Sequence, residues 1–377
     1  MRVLLLSAYA AQSHRLWQHN LQRMFPDWQW EVQCLPPRYF SWRVRGNPLY
    51  WSISERAVLE RDYDLLLATS MVDLATLRGL VPALSRLPTV LYFHENQFDY
   101  PQDRQRHNLL EAQMVSLYGA LAADRILFNS AYNRRGFLVG CETLLAKMPD
   151  KVPAGIAALL ADKSEVLPVP LDIDDITVHS VDGDWPGRGG GLPQRPLRLL
   201  WVGRFEHDKG PDGLLRILRL LEQSELNWEI ALVGQQFRNS PPAFRQIEEQ
   251  FRHRLVHCGF LESVVEYQQL LRGGDMVLST ALHEFQGLAV LEAVAAGCLP
   301  VVPDRLVYPE ILPQRFCYPC SDGDALPEAA QAVNLILSHA AQLLSGAVQA
   351  PDVSAYGFNA LVGKYREVFL SPASNHR

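Results

Sequence analysis

Long apolar runs are missing from this chain: none approaches the roughly 20 residues that a membrane span requires. The opening stretch MRVLLLSAYAAQSH holds one Arg, a short apolar run and then polar residues, so it reads as a first strand rather than a signal peptide. A soluble cytoplasmic protein is the expectation. Cysteine is scarce and scattered, at Cys34, Cys141, Cys258, Cys298, Cys317 and Cys320, a distribution that fits reduced thiols better than a disulfide framework. The one CxxC, in RFCYPC, has no second Cys or His pair at matching spacing nearby, and a structural zinc site needs four ligands. Internal repeats and low-complexity tracts are also lacking.

What is present is ample core material. The 377 residues are 48% hydrophobic and 20% charged, and domains usually hold about 100 to 150 residues, so two domains are expected. The net charge of −6 is uneven, since residues 1–170 carry 18 Lys and Arg against 16 Asp and Glu while the remainder carries 17 against 25. A polyanion would therefore dock on the N-terminal half, although the overall acidity opposes indiscriminate nucleic-acid binding.

Short β-rich apolar runs alternate with helical patterns. RVLLLSAY, DLLLATS, TVLYFHE, RILFNS and SEVLPVP read as buried parallel strands in residues 2–170. The order starts again after residue 196 with LRLLWVG, WEIALVG, RLVHCGF, MVLST and CLPVVP. Two doubly wound α/β lobes follow, 1–177 and 197–355, joined by a Gly- and Pro-rich linker at 178–196 and ending in an amphipathic helix and tail at 356–377.

Within STALHEFQGLAVLEAV, Glu284 and Glu292 stand in an otherwise apolar stretch. The strand MVLST ends just before, and Gly287 permits close backbone approach, so ALHEFQG is a loop at the carboxyl end of a parallel strand. Exposed amides from Phe285 through Gln286 and Gly287 to Leu288 would suit a phosphate, and both carboxylates could face one crevice and accept hydrogen bonds from sugar hydroxyls. The alternative is a capping glutamate beside a solvated one. A second loop, WVGRFEHDKG, brings Gly203, Arg204 and Lys209 to another strand end. Two fixed cations there would stabilise a departing diphosphate without a metal; taken alone they could equally be surface charges at a turn.

The Glu284-x7-Glu292 spacing with GRFEHDKG upstream resembles the donor site of retaining GT-B glycosyltransferases. With SHRLW, SWRVRGN, YFHENQFDYP, FNSAYNRRGF and LVYPEI, the chain is similar more narrowly to the tRNA-queuosine α-mannosyltransferase family. That resemblance implies two Rossmann-like lobes facing a cleft, the C-terminal helix crossing back to the N-lobe, and a mannose carried from GDP-mannose to the queuosine base at the wobble position of tRNA-Asp. It implies further that Arg204 and Lys209 hold the diphosphate, that Glu284 meets sugar hydroxyls and that Glu292 binds the ribose. His94 would line the sugar site, and no metal cofactor is expected. Two stretches depart from the GT-B pattern: AYAAQSH replaces a Gly-Gly loop after the first strand, and DRLVYPE lacks the usual glycines.

The acceptor side is read from the N-terminal half. Arg38, Arg43, Arg45 and Arg56 interleave with Tyr39, Phe40, Trp42 and Trp51, a pattern for phosphate neutralisation and base stacking, or for an amphipathic loop folded over the lobe. His14, Glu95, Asn96, Gln97 and Arg134 are further candidates for tRNA contact, with RQRH at 104–107 and Arg135 as extensions. Trp17 is open between acceptor contact and core packing. DIDD at 172–175 mimics a metal motif but lies away from the donor loops.

Overall fold

The computed structural model describes residues 1–99, 109–176, 184–187, 189–320 and 325–371. Contacts divide the chain into one unit of Met1–Pro170 with Phe358–Arg377 and a second of Leu171–Gly357.

The first unit is a parallel sheet of six strands, β1 (Arg2–Ser7), β2 (Gln29–Cys34), β3 (Leu65–Thr69), β4 (Thr89–Phe93), β5 (Arg125–Phe128) and β6 (Ser164–Val166), in the order β2-β1-β3-β4-β5-β6. The central strands β3 and β4 are buried throughout, as continuous apolar runs covered on both faces must be. Strand β2 lies at the edge and is only half-buried, so its sequence QWEVQC carries no apolar run to betray it. Order reverses between β1 and β3, the place where open α/β sheets open a crevice at their carboxyl ends.

The final helix, Phe358–Leu370, packs on this first unit. Its Tyr365 hydroxyl accepts a hydrogen bond from the Trp17 indole and donates one to the Pro168 carbonyl, both at 3.0 Å, while Phe369 packs against Phe25 and Trp28. The helix thus returns to the N-terminal unit. Trp17 belongs to this core, which settles its role as packing.

The basic-aromatic segment, open between a loop and a nucleic-acid surface, forms the helix Phe40–Ser54. Gly46, Asn47 and Pro48 break its pattern in sequence. The helix holds because Val44, Asn47, Pro48 and Trp51 face inward, and the Asn47 side chain donates to the carbonyl of Val44, which Pro48 leaves without its helical donor, and to that of Arg43.

The second unit repeats the architecture with β7 (Leu197–Val202), β8 (Trp228–Val233), β9 (Leu255–Gly259), β10 (Met276–Leu278), β11 (Leu299–Pro303) and β12 (Cys317–Tyr318), ordered β12-β11-β10-β7-β8-β9. Here the reversal falls between β7 and β10, the strands whose following loops hold the Arg-Lys and Glu-Gln-Gly motifs. The amphipathic helix Pro211–Glu222 buries Leu214, Leu215, Ile217, Leu218 and Leu221 against this sheet. DIDD opens the short helix Ile173–Ile176, where Asp175 accepts a hydrogen bond from Gln268 at 2.7 Å. The six cysteines are free thiols, with Cys317 buried on β12. No described helix is long and apolar enough to cross a membrane.

Candidate active site

The two loops at the β7/β10 reversal are tied to each other through the backbone. The Asp208 carbonyl accepts from the amides of Leu282 and His283, at 2.9 and 3.1 Å. Gly210 follows at φ +65°, and a Cβ there would lie 1.9 Å from the Thr280 carbonyl oxygen, so only glycine allows this approach. The consequence is a fixed distance between the cation of one loop and the carboxylate of the other. Lys209 Nζ lies 3.1 Å from Glu284 Oε2, 3.1 Å from the His283 carbonyl and 3.4 Å from Asp208.

Glu284 is engaged on both oxygens. Its Oε1 accepts from the amides of Phe285 at 3.0 Å and Gln286 at 3.4 Å. Burial alone would raise its pKa, but the Lys209 charge and the amides of Gly287 and Gln286 hold it down to about 2. Lys209 is correspondingly raised: burial opposes its charge, and Glu284 and Asp208 outweigh that opposition. Of the amides expected to face a phosphate from Phe285 to Leu288, those of Phe285, Gln286 and Gly287 are directed at the Glu284 carboxylate in this structure. Gly287, at φ +72°, then starts the helix Leu288–Ala295.

Arg204 reaches Glu206 at 2.7 Å and Asp208 at 3.6 Å, and Gly203 donates its amide to the Val233 carbonyl at the end of β8. Trp201, Lys209, Ser279, Glu284, Gly287 and Tyr308 line a small cavity among these groups. Ser279 and Tyr308 share a 2.6 Å hydrogen bond at its wall.

Glu292 has other surroundings. Its carboxylate accepts from the Tyr267 hydroxyl at 2.7 Å, on the helix Val264–Gly273. Burial raises its pKa to about 7, against a smaller lowering by Tyr267. The two glutamates therefore do not share one set of partners: one is held ionised by a lysine, the other is poised near neutrality against a phenol.

In the first unit His94 follows β4 and stacks on His14 at 4.1 Å between ring centroids, with the Trp17 edge at 5.2 Å. Its carbonyl accepts from Asn129 at 2.8 Å, and neither of its ring nitrogens has a protein partner. Burial, and secondarily His14, lowers the His94 pKa well below the usual range, so its ring is neutral at pH 7. His14 is fully buried, its pKa lowered by burial to about 3, and its Nδ1 lies 3.4 Å from the Ser7 hydroxyl. His14, expected to meet the acceptor, is enclosed in this stack against His94, and its Nε2 has no protein partner.

Three more acceptor candidates are engaged by neighbouring protein groups. Asn96 is buried, donating to Asn133 at 2.9 Å and accepting from the amides of Phe98 and Asp99, an arrangement that shapes its own loop. Gln97 is buried against Met71 and accepts on its carbonyl from Gln113. Arg134 donates to the Ser164 hydroxyl at 2.8 Å and the Ala161 carbonyl at 2.9 Å, which fastens its helix, Ala131–Leu145, to β6. Glu95 is half-buried, with its carbonyl accepting from Ser70.

The arginines of the basic-aromatic segment remain nearer solvent: Arg38 and Arg45 are exposed, Arg45 pairing with Asp73 at 2.6 Å, and Arg43 is half-buried. RQRH at 104–107 lies outside the described residues. Sequence reasoning gave Tyr267 no role, and Asp208 stood inside the quoted WVGRFEHDKG without one. Tyr308 stood inside the quoted LVYPEI but carried no assigned role.

Comparison with known proteins adds an independent line. Residues 2–171 match the model of the tRNA-queuosine alpha-mannosyltransferase N-terminal domain, and residues 188–340 match glycosyl transferases group 1. The tRNA-queuosine alpha-mannosyltransferase of Drosophila melanogaster is 34% identical over 297 residues, covering 78% of this chain and 77% of that protein. A GDP-mannose:cellobiosyl-diphosphopolyprenol alpha-mannosyltransferase of Xanthomonas oryzae is 23% identical over 48% of each chain. Among solved structures, Anabaena HepE in complex with UDP and glucose superposes with a TM-score of 0.68 at 16% identity, covering 98% of this chain and 100% of that one. Sucrose-phosphate synthase from Thermosynechococcus elongatus gives 0.63 at 14%, covering 98% and 100%. At such identities these structures speak for the fold, which is the two-lobed GT-B architecture.

Proposed function

The chain belongs to the tRNA-queuosine α-mannosyltransferase family and is a glycosyltransferase, and from that premise we propose that it transfers mannose, with retention, from GDP-mannose to queuosine at the wobble position of tRNA-Asp. The observation that carries the donor half of this reading is the Lys209–Glu284 pair at the β7/β10 reversal. A lysine held charged beside a carboxylate held ionised can take a diphosphate on one side and sugar hydroxyls on the other.

In this mechanism the bond between the anomeric carbon and the diphosphate oxygen breaks, and its electron pair stays on the phosphate. Arg204 and Lys209 meet the growing negative charge, each exchanging a carboxylate partner for a phosphate oxygen. A queuosine hydroxyl attacks from the face the phosphate leaves, and its proton passes to that phosphate oxygen, giving GDP and the mannosylated base. Glu284 orients the sugar, and Glu292 takes a ribose hydroxyl in place of the Tyr267 phenol. His94, neutral and with both ring nitrogens unpartnered by protein, is suited to one hydrogen bond with a substrate hydroxyl. The charge-neutralising role of a metal falls to the two cations, and the cytoplasm, where tRNA is modified, is the proposed setting.

The rival acceptor is a lipid-linked glycan, of the kind named for the Xanthomonas relative. Nucleoside mass spectrometry of queuosine-containing tRNA after incubation separates the two. A hexose added to queuosine with GDP-mannose and not with UDP-glucose is expected; an unmodified nucleoside from active protein would move the assignment to another acceptor.

A further inference from the structure

The helix Phe40–Ser54 carries aromatic rings where burial gives no reason for them. Trp42 is 57% exposed and Tyr39 72%. Tyr39 caps the helix in the left-handed region at φ 56° and ψ 53°, a conformation disfavoured for a bulky side chain and tolerated where surrounding structure enforces it. That conformation turns the ring outward, with the Arg38 guanidinium over it at 5.8 Å.

Trp42 is fixed by a different device. A Cβ built at Gly46 would lie 2.6 Å from the Trp42 indole, so the ring lies flat on the bare backbone of the next turn. Glycine in mid-helix is otherwise unfavourable. Its presence makes room for the indole against the helix while the side chain stays more than half exposed. Residues 38–56 also hold four Arg and one Glu; Arg45 is paired with Asp73 and Arg56 with Glu60, which leaves Arg38, exposed beside Tyr39, as the cation nearest the rings.

We infer that Tyr39 and Trp42 form a preset stacking platform for unpaired bases of an RNA loop, with Gly46 as the floor under the indole and Arg38 against the loop's phosphates. Stacking tolerates any base, because every base offers a π-face, and fixed rings with adjacent cations are what single-stranded segments require. A duplex keeps its bases stacked internally and would gain only the charge contacts. The inference rests on the proposed tRNA acceptor and assigns it a specific surface.

The test uses the full chain and two probes: a stem-loop RNA with the anticodon-arm sequence of tRNA-Asp, and a blunt duplex of the same length and composition. Trp42→Ala and Gly46→Ala are each expected to weaken stem-loop binding by roughly tenfold, leaving duplex binding unchanged. Gly46→Ala keeps the indole but forces it off the helix, since a Cβ there would lie 2.6 Å from the ring; thermal melts of both variants separate lost affinity from lost folding. Unchanged stem-loop affinity in both variants, with wild-type protein binding well, overturns the platform while sparing the tRNA reading. Wild-type protein that binds neither RNA refutes both. Binding to phosphatidylglycerol vesicles that Trp42→Ala abolishes would assign the surface to a membrane and overturn the platform as well.

Discussion

Lys209 and Glu284 lie 75 positions apart in sequence and 3.1 Å apart in space, joined across the β7/β10 reversal by two loops that share hydrogen bonds through the Asp208 carbonyl. Each protects the other's charge. Removing the lysine leaves a half-buried carboxylate without its cation and a diphosphate without a donor. Lys209→Ala is expected to lower kcat by about 100-fold or more while leaving tRNA affinity intact. Steady-state kinetics alongside an RNA-binding titration check both halves.

The same pair sets an acid limit on stability. Glu284 is held at about 2, below the ordinary 4.5 of a glutamate, so its stabilising contribution is fully present above pH 4.5. That contribution is lost as pH falls from 4.5 toward 2. Thermal melts across this window should show a steeper decline for wild type than for Glu284→Gln, whose amide does not titrate. Parallel curves would contradict the pairing.

Glu292 behaves in the opposite sense. With its pKa raised to about 7, it binds a proton more tightly folded than unfolded, so its contribution is present below pH 4.5 and lost as pH rises through 7. Glu292→Gln should therefore melt higher than wild type at pH 8, with the advantage shrinking as pH falls through this window. Melting temperatures at matched ionic strength measure it.

Arg38 and Arg134 separate a surface role from a structural one. Arg38→Ala should reduce the slope of log affinity against log salt for RNA by about 1, as for one lost phosphate contact. Arg134→Ala should leave that slope alone and lower the melting temperature, since its donors are spent on Ser164 and Ala161.

His14 supports His94 from below, so His14→Ala opens a buried cavity and is expected to cost roughly 2 to 4 kcal/mol of stability. Denaturant unfolding gives the loss directly, and His14→Phe, which refills the stack, should recover most of it.

Much of this was legible before the fold was seen, and the misses have physical reasons. Strands β3 and β4 stand out because covered parallel strands must be apolar throughout, whereas β2, at an edge, has no such requirement. Motifs at strand ends locate Lys209 and Glu284, but their ion pair depends on how two loops fold against each other, which periodicity does not encode. Sequence does not show that His14, Asn96 and Gln97 are buried: polar residues near a crevice look like ligands, and here they are enclosed, with His14 Nε2 and Gln97 Oε1 keeping no protein partner. Arg134 sits on a helix with its donors directed to the neighbouring strand β6 and the helix Ile156–Asp162. The helix Phe40–Ser54 escaped because Gly46 and Pro48 are breakers in isolation, and the glycine has a local task beneath Trp42.

The most direct measurement of the central claim is a boronate gel of queuosine-containing tRNA-Asp after incubation with the protein and GDP-mannose, because the cis-diol of queuosine retards migration and a sugar on that diol relieves it. The account predicts loss of the retarded band with wild-type protein and GDP-mannose, and its persistence with Lys209→Ala or with UDP-glucose. A band that stays retarded with folded, nucleotide-binding wild-type protein would contradict it.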